Sequence, residues 1–412
     1  MSSFLEKGIL KNFGYLTVIQ LFNLIFPIII YPYIIKTVGT ENYGLVLFAQ
    51  SIIIYFSLVV NFGFTVYGTN EVSTSNNNKA NLSRIITDIL MIQLILICLT
   101  FLVIGIISVF LDADTSLLLM LATYLCLNEL AIPTWYFQGR QQMKYIAICN
   151  FLAKLTSLIV IVFMVKGPND YHFILVAYLL GTLICGIFSW NKILIIDKNK
   201  LSKWSFKSLK NVIAESTPFF VSHSLGGITG KSNGFVIGKF VGTTELAYYD
   251  LAEKLINLVS VIFSNFSNAI FPVMSQKRNK NLVKNSLKIV LIISVLAILF
   301  LNLFAGDIIT IIGGSSMKPA IPYLCFLSIS LIPKSIGPII STSILAVNNL
   351  GFVLSRSFIL GFISYTILIS ALIIFNYSTV VTIIAVYLSA LFITISYRIY
   401  FCYKNKLKSW II

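Results

Sequence analysis

The sequence predicts an all-α integral membrane protein of twelve transmembrane helices, set as two six-helix bundles related by a pseudo-two-fold axis along the membrane normal. Three observations lead there. Apolar stretches of about 20 residues, the length a helix needs to cross roughly 30 Å of hydrocarbon, recur along the whole chain. Hydrophobic residues make up 58% of the 412 and charged residues only 11%, too few polar groups to dress a soluble surface. Threaded through a membrane in order, the stretches leave twenty-two of the thirty Lys and Arg on one side.

The first half holds spans over 12–36, 44–69, 85–111, 116–138, 145–165 and 170–196. Pro27 and Pro32 interrupt the first and Pro133 the fourth, breaks tolerated where protein or water satisfies the freed carbonyls. A basic connection, DKNKLSKWSFKSLKN at 197–211, follows. Its two aromatics suit a linker lying on the inner leaflet. The second half holds spans over 212–241, 246–272, 284–305, 321–347, 355–376 and 377–402. The expected organisation is therefore an N-terminal bundle over 1–196, a linker over 197–211 and a C-terminal bundle over 212–412. In the seventh span Gly226, Gly230, Gly234 and Gly238 recur every four residues, a small-residue face that lets another backbone approach or lets the helix bend and slide. Pro333 and Pro338 interrupt the tenth span.

The halves carry a trace of duplication. Lys36-Thr-Val-Gly-Thr ends the first span of one half and Lys239-Phe-Val-Gly-Thr the first span of the other, each with a glutamate close behind, Glu41 and Glu245. Halves with an even number of spans keep one orientation, so such repeats are parallel.

The charge asymmetry sets the orientation. Lys7, Lys11, Lys79, Arg84, Arg140, Lys144, the basic residues from Lys192 to Lys210 and from Lys277 to Lys288, Arg356, and those from Arg398 to Lys408 fall on one side. Lys36, Lys166, Lys239 and Lys318 fall on the other, beside Glu41, Asp112, Asp114, Asp170, Glu245 and Asp307. A Lys/Arg excess marks the cytoplasmic face, which places both termini inside. The same excess accounts for the net charge of +16, and a nucleic-acid partner is not expected. Six cysteines at irregular spacing, all in apolar spans, indicate neither a disulfide framework nor a metal site. No inner loop is long enough to be a folded domain, so an ATP-binding domain is absent, and no nucleophile motif or paired catalytic carboxylates appear. The chain is expected to be no enzyme and to need no cofactor.

Charges at membrane depth demand an explanation, because each costs about 2.5–3.5 kcal/mol at a helix centre. Glu129 in span four and Lys154 in span five could form an ion pair. In span eight, positions 250, 254, 257, 261, 264 and 268 share one helical face, giving a stripe of Asp250, Lys254, Asn257, Ser264 and Asn268 broken only by Val261, with Glu253 beside it. Such a stripe cannot face lipid, and a wet cavity satisfies it better than a dry seam. Lys231 lies at similar depth. Lys334 sits between two prolines on a span that offers no acid, so it is neutral, borrows an acid from another helix, or awaits an anion. The deep lysines Lys154, Lys231, Lys254 and Lys334 outnumber the deep acids Glu129, Asp250 and Glu253, a balance that suits an anionic substrate. His172 and His223 read as ordinary polar packing residues.

The stretch FPIIIYPYIIKTVGTENYGLVLFAQSIIIYFSLVVNFGFTVYGTNEVS at 26–73 resembles the opening of the polysaccharide flippases, the Wzx-type O-antigen and capsule repeat-unit transporters of the multidrug/oligosaccharidyl-lipid/polysaccharide superfamily. WYFQGRQQMKYIAICNFLAK (135–154), VGTTELAYYDLAEKLINLV (241–259) and NAIFPVMSQ (268–276) fit the same family in the same order. Asn61, in NFGF, stands where many relatives carry an acid, which weakens a proton-coupling role for that position. The resemblance implies two bundles around a central cationic cavity with a lateral opening towards lipid, in a bacterial inner membrane. It implies as substrate an oligosaccharide linked to undecaprenyl pyrophosphate, and as partners membrane lipid, a polysaccharide polymerase and a chain-length regulator. The alternative within the superfamily is a cation-coupled multidrug and toxin extruder, whose cavity should be dominated by acids and aromatics. The lipid II flippase usually has fourteen spans, more than 412 residues readily hold.

Topology is directly testable. Reporter fusions after Asn76, Lys203, Asn279 and the C-terminus should report cytoplasm, and those after Asp114, Pro168 and Ser315 the outside. An external signal at Lys203 would overturn the six-plus-six division.

Overall fold

In the computed structural model, the described residues are 2–75, 78–278, 280–348, 350–405 and 407; within them, only the backbone is described for 2–25, 27, 28, 222, 223, 225, 226, 269, 272, 273 and 275–277. Among the described residues the fold is all-helical, with no strand. In order, the helices are α1 (Ser2–Asn61), α2 (Phe64–Thr74), α3 (Lys79–Ser108), α4 (Ala113–Ala122), α5 (Tyr124–Ala131), α6 (Thr134–Gly139), α7 (Met143–Met164), α8 (His172–Asn191), α9 (Phe206–Phe240), α10 (Thr243–Lys277), α11 (Lys280–Leu303), α12 (Ala305–Gly313), α13 (Ala320–Ser328), α14 (Leu331–Ile339), α15 (Gly351–Ile374) and α16 (Val380–Lys404). Nine helical stretches among the described residues are long and apolar enough to cross a membrane. The protein is multi-pass. Helices α9 and α10 are not among the nine, although each runs 35 residues, about 52 Å at 1.5 Å per residue; their polar residues lower the apolar content.

The helix breaks have local causes. The span expected over 12–36 forms the first limb of α1, which turns at Gly39 (φ 81°, ψ 169°); the one expected over 44–69 takes the second limb and, after a break at Phe62-Gly63 (φ 42° and 73°), the start of α2. The matching glycine of the second pentapeptide, Gly242 (φ 144°, ψ 158°), separates α9 from α10. Positive φ of this kind is open to glycine and strained for other residues. The repeated pentapeptide therefore marks the same kind of helix-to-helix break twice. The fourth expected span is in three pieces: Thr123 ends α4, and Ile132-Pro133 leaves helical geometry before α6. After Pro338 the tenth span widens into a π turn over Ile340–Ala346. There Ser341 and Thr342 hydroxyls donate to the carbonyls of Gly337 and Pro338 one turn back, which satisfies the hydroxyls within the helix.

The chain divides into two compact units, Met1–Ser224 and Leu225–Ile412. In the first, α2, α3, α6 and the start of α9 close over a core of Phe64, Tyr67, Ile86, Trp135, Phe137 and Val212. The basic connection is tied to that unit. Ser202 N donates to Thr87 Oγ1 at 2.9 Å, Arg84 Nε to Ser208 Oγ at 2.9 Å, and Ser208 Oγ to the buried Asp88. Trp204 and Phe206 stay exposed, as residues resting in an interface would. In the second unit, α10 packs against α13 and α14, and α15 against α16. One face of α10, with Ala247, Leu251 and Leu255, is buried.

The pairing of α7 with α8 rests on a close backbone approach. A Cβ on Gly181 would lie 2.5 Å from the carbonyl oxygen of Ala153 and 2.8 Å from Ser157 Oγ, whereas one on Gly105 would meet nothing within 4 Å. Gly181→Ala should destabilise the protein by about 1–3 kcal/mol, and Gly105→Ala should leave it unchanged or up to about 1 kcal/mol more stable. Thermal unfolding of the two purified variants checks this; equal midpoints would show that α7 and α8 can separate freely.

Candidate functional site

Unit 2 gathers the polar residues predicted for spans seven, eight and ten. On α10, Lys254 Nζ pairs with Asp250 one turn earlier, so this lysine is partly neutralised at rest. Lys334 of α14 donates to Asn257 Oδ1 at 3.1 Å, and its ammonium lies 5.9 Å from the centre of the Tyr387 ring. Glu253 is within electrostatic reach of Lys231, Lys334, Lys254 and Asp250. Three lysines thus share one neighbourhood with two acids. Asp250, Lys254 and Ser264 are half-buried, and Asn257 and Asn268 are exposed; the polar stripe of α10 is left open while the opposite face makes the core. Lys334 borrows an amide oxygen from α10 directly and an acid only at longer range.

Beside the stripe, unit 2 has an open pocket of about 430 Å³ whose wall is largely apolar, with Pro333, Pro338, Phe358, Leu391 and Ile395, and which Ser260, Ser264, Lys334, Ser341, Thr394 and Arg398 also line. Arg398 was grouped with the cytoplasmic residues by sequence, yet it is only 5% exposed. Its Nε donates to Ser357 Oγ at 2.8 Å and its Nη1 to Ser341 Oγ at 2.7 Å, and the Phe358 ring centre lies 4.7 Å from its guanidinium carbon. A second group missed by sequence is Asn233 of α9, fully buried. Its Nδ2 donates to Tyr249 OH at 2.9 Å and its Oδ1 accepts from Tyr365 OH at 2.8 Å, so one amide joins α9, α10 and α15. No sequence signal singles out one asparagine in a serine- and glycine-rich span.

Unit 1 holds a smaller cavity, about 260 Å³, lined by Phe26, Tyr124, Asn128, Asn150, Lys154 and Tyr178 among others, with no acid in its lining. The Lys154 ammonium lies 5.3 Å from the Phe26 ring centre. Glu129 is engaged elsewhere: Asn61 Nδ2 donates to its Oε2 at 2.6 Å, and to Thr65 Oγ1 at 3.0 Å. The contacts described for Glu129 and for Lys154 are thus with different partners. Asn61, where an acid is common in the resembling family, here orders the acid of a neighbouring helix.

Of the glycine row, Gly230 has no atom within 4 Å of where a Cβ would stand, so that position does not serve close packing; Gly234 and Gly238 are half-buried. Gly226, Pro27 and His223 lie outside the residues whose surroundings are described. His172 stacks on Tyr171 with ring centres 4.0 Å apart, a packing role. Among the described residues no cluster of His, Cys, Asp or Glu could hold a metal ion.

These features describe a helical, multi-pass membrane protein with polar side chains gathered around open pockets in each unit. Its backbone matches that of the lipid II flippase MurJ in an inward closed conformation, with TM-score 0.77 over 96% of this chain and 88% of that one at 16% identity. It also matches a multidrug resistance MATE family transporter of the MOP superfamily, inward-facing, with TM-score 0.72 over 94% and 95% of the two chains at 15% identity. Residues 9–278 match the polysaccharide biosynthesis protein family, and the chain belongs to that family. A candidate O-antigen transporter of Shigella dysenteriae is 28% identical over 273 residues, 65% of this chain and 67% of the relative. The relatives are transporters and flippases, as the sequence led us to expect, and not enzymes.

Asn233→Leu should strip the shared amide from Tyr249 and Tyr365 and lower stability by about 1–3 kcal/mol. The measurement is thermal unfolding of the purified variant. An unchanged midpoint would show that both hydroxyls find equivalent partners.

Proposed function

We propose that the chain is a flippase that carries an oligosaccharide repeat unit, linked to undecaprenyl pyrophosphate, from the cytoplasmic to the outer leaflet of a bacterial inner membrane by alternating access. The observation that carries the reading is the sign of the charge kept at membrane depth. Among the described residues, Lys231, Lys254 and Lys334 share their neighbourhood with Asp250 and Glu253, and the described lining of the pockets around Lys154 and Lys334 holds no acid. A diphosphate finds compensation in such surroundings; a cationic drug does not. Family membership and the flippase among the fold relatives support the same substrate class.

The physics divides the labour. A sugar chain and a diphosphate cannot cross hydrocarbon unaided, whereas the polyprenyl tail has no reason to leave it. Enclosing only the head group lowers the barrier without extracting the lipid. Lysines offset the diphosphate charge as point charges, and hydroxyls and amides such as Asn257 meet the sugars. In this reading α9, α10 and the first limb of α1 join the nine apolar stretches to make twelve spans in two six-helix bundles, with both termini cytoplasmic. A polysaccharide polymerase and a chain-length regulator would take up the product. The extruder reading requires an acid poised to exchange a cation, and Glu129, a candidate in unit 1, is held by an asparagine.

Substituting Lys154, Lys231, Lys254 and Lys334 singly with Ala should lower surface polysaccharide in a strain that depends on this chain, and Arg at the same positions should partly preserve it. Wild-type polysaccharide from a stably inserted quadruple Ala variant would refute the assignment of these lysines.

A further inference from the structure

We infer that unit 2 contains a diphosphate-binding subsite built on Arg398 and Lys334, in an open pocket that adjoins the polar stripe of α10. This deepens the flippase reading by naming the part of the substrate that the cavity takes, and it rests on that reading for the lipid source of the anion.

Arg398 lies six residues before the end of α16 at Lys404, about 9 Å inside the helix end at 1.5 Å per residue. A guanidinium buried there costs several kcal/mol unless its charge and its N–H groups are compensated. It has five donors, and two are accounted for, by the hydroxyls of Ser357 and Ser341. Among the described residues no carboxylate pairs with it, and no partner is described for Nη2. The Phe358 ring covers part of the guanidinium, and the remaining donors belong to a residue that lines the 430 Å³ cavity. That volume is far above what one water needs.

The cavity lining combines this planar fork with the point charge of Lys334 and the hydroxyls of Ser260, Ser264, Ser341 and Thr394, with no Asp or Glu. Two basic side chains with no acid among the described lining residues repel a bound cation. A fork and an ammonium carried on different helices suit an anion with several acceptor oxygens on two centres, since arginine recognises phosphate oxygens in pairs and lysine meets them singly. A purely structural Arg398 would serve only to pin α16 to α15 and to the π turn after α14. That role uses Nε and Nη1 alone and gives no reason for a second cation in the same cavity.

The experiment titrates the purified full-length protein in lipid nanodiscs with inorganic pyrophosphate, inorganic phosphate and farnesyl diphosphate, by calorimetry and by thermal unfolding. Pyrophosphate should bind more tightly than phosphate and raise the unfolding midpoint. Arg398→Lys keeps the charge and loses the fork, and it should weaken pyrophosphate binding about tenfold or more while the ligand-free midpoint stays near wild type. Lys334→Gln should weaken it comparably, and it serves as the readout if Arg398→Lys does not fold. Competition of farnesyl diphosphate with pyrophosphate assigns the site to a lipid head group; pyrophosphate binding without that competition assigns it to a free anion. No pyrophosphate binding to wild type, or equal binding by wild type and both variants, overturns the subsite and leaves Arg398 a helix pin. A protein that binds pyrophosphate through Arg398 but supports no surface polysaccharide keeps the subsite and loses the flippase reading, and the converse result loses the subsite alone.

Discussion

Hydrocarbon offers no hydrogen bonds, and every polar group this chain carries into the membrane is placed by that fact. The constraint acts first on the backbone. Helices turn at Gly39 and Gly242, where positive φ is open to glycine, and after the proline at 338 the helix widens into a π turn over Ile340–Ala346. It acts next on side chains. Thr100, Ser157 and Thr394 return their hydroxyls to carbonyls one turn back, so they cost little in a helix interior. Asn233 uses both ends of its amide on two tyrosines.

The two units resolve the constraint differently. In unit 1 one network is closed on itself: Tyr136 OH donates to Asp197, Asn199 donates to Tyr136 OH, and Lys192 pairs with Asp197. This network fixes the start of the basic connection to the unit that precedes it. In unit 2 the polar residues of α10 form an open stripe, and the cations outnumber the acids near them. A closed network gives rigidity, whereas an open one keeps binding capacity for a solute.

Much of this was legible in the sequence, for reasons that can be named. Span lengths and Lys/Arg asymmetry are set by membrane thickness and surface charge, both of which act on sequence directly. The pentapeptides around Gly39 and Gly242 were visible as a repeat because a backbone conformation with positive φ leaves few residue choices. The gathering of Lys334 with Asn257 and Glu253 was foreseeable only as a shortage, an ammonium without an acid on its own helix. Arg398 was misplaced because a basic residue near a helix end ordinarily snorkels to the interface; here Ser341, Ser357 and Phe358, distant in sequence, hold it inside. Glu129 was expected to meet Lys154, but the contact that orders it comes from Asn61, on a helix that hydropathy alone does not place beside it.

The remaining step concerns release. A site that carries a diphosphate through a membrane must bind it strongly enough to offset lost hydration and weakly enough to let it go. Fully unpaired lysines would overshoot, since each added charge-assisted contact is strong in a dry site. The pairing of Lys254 with Asp250 and the proximity of Glu253 to Lys231 and Lys334 moderate that attraction, because an arriving phosphate must compete with resident carboxylates for the same ammonium groups. Arg398 has no such competitor, and its neutral hydroxyl partners can remain bonded while the free donors turn to an anion. On this reading the acids among the lysines are a means of release as well as of stability, and the strongest hold on the diphosphate falls where the acids are absent.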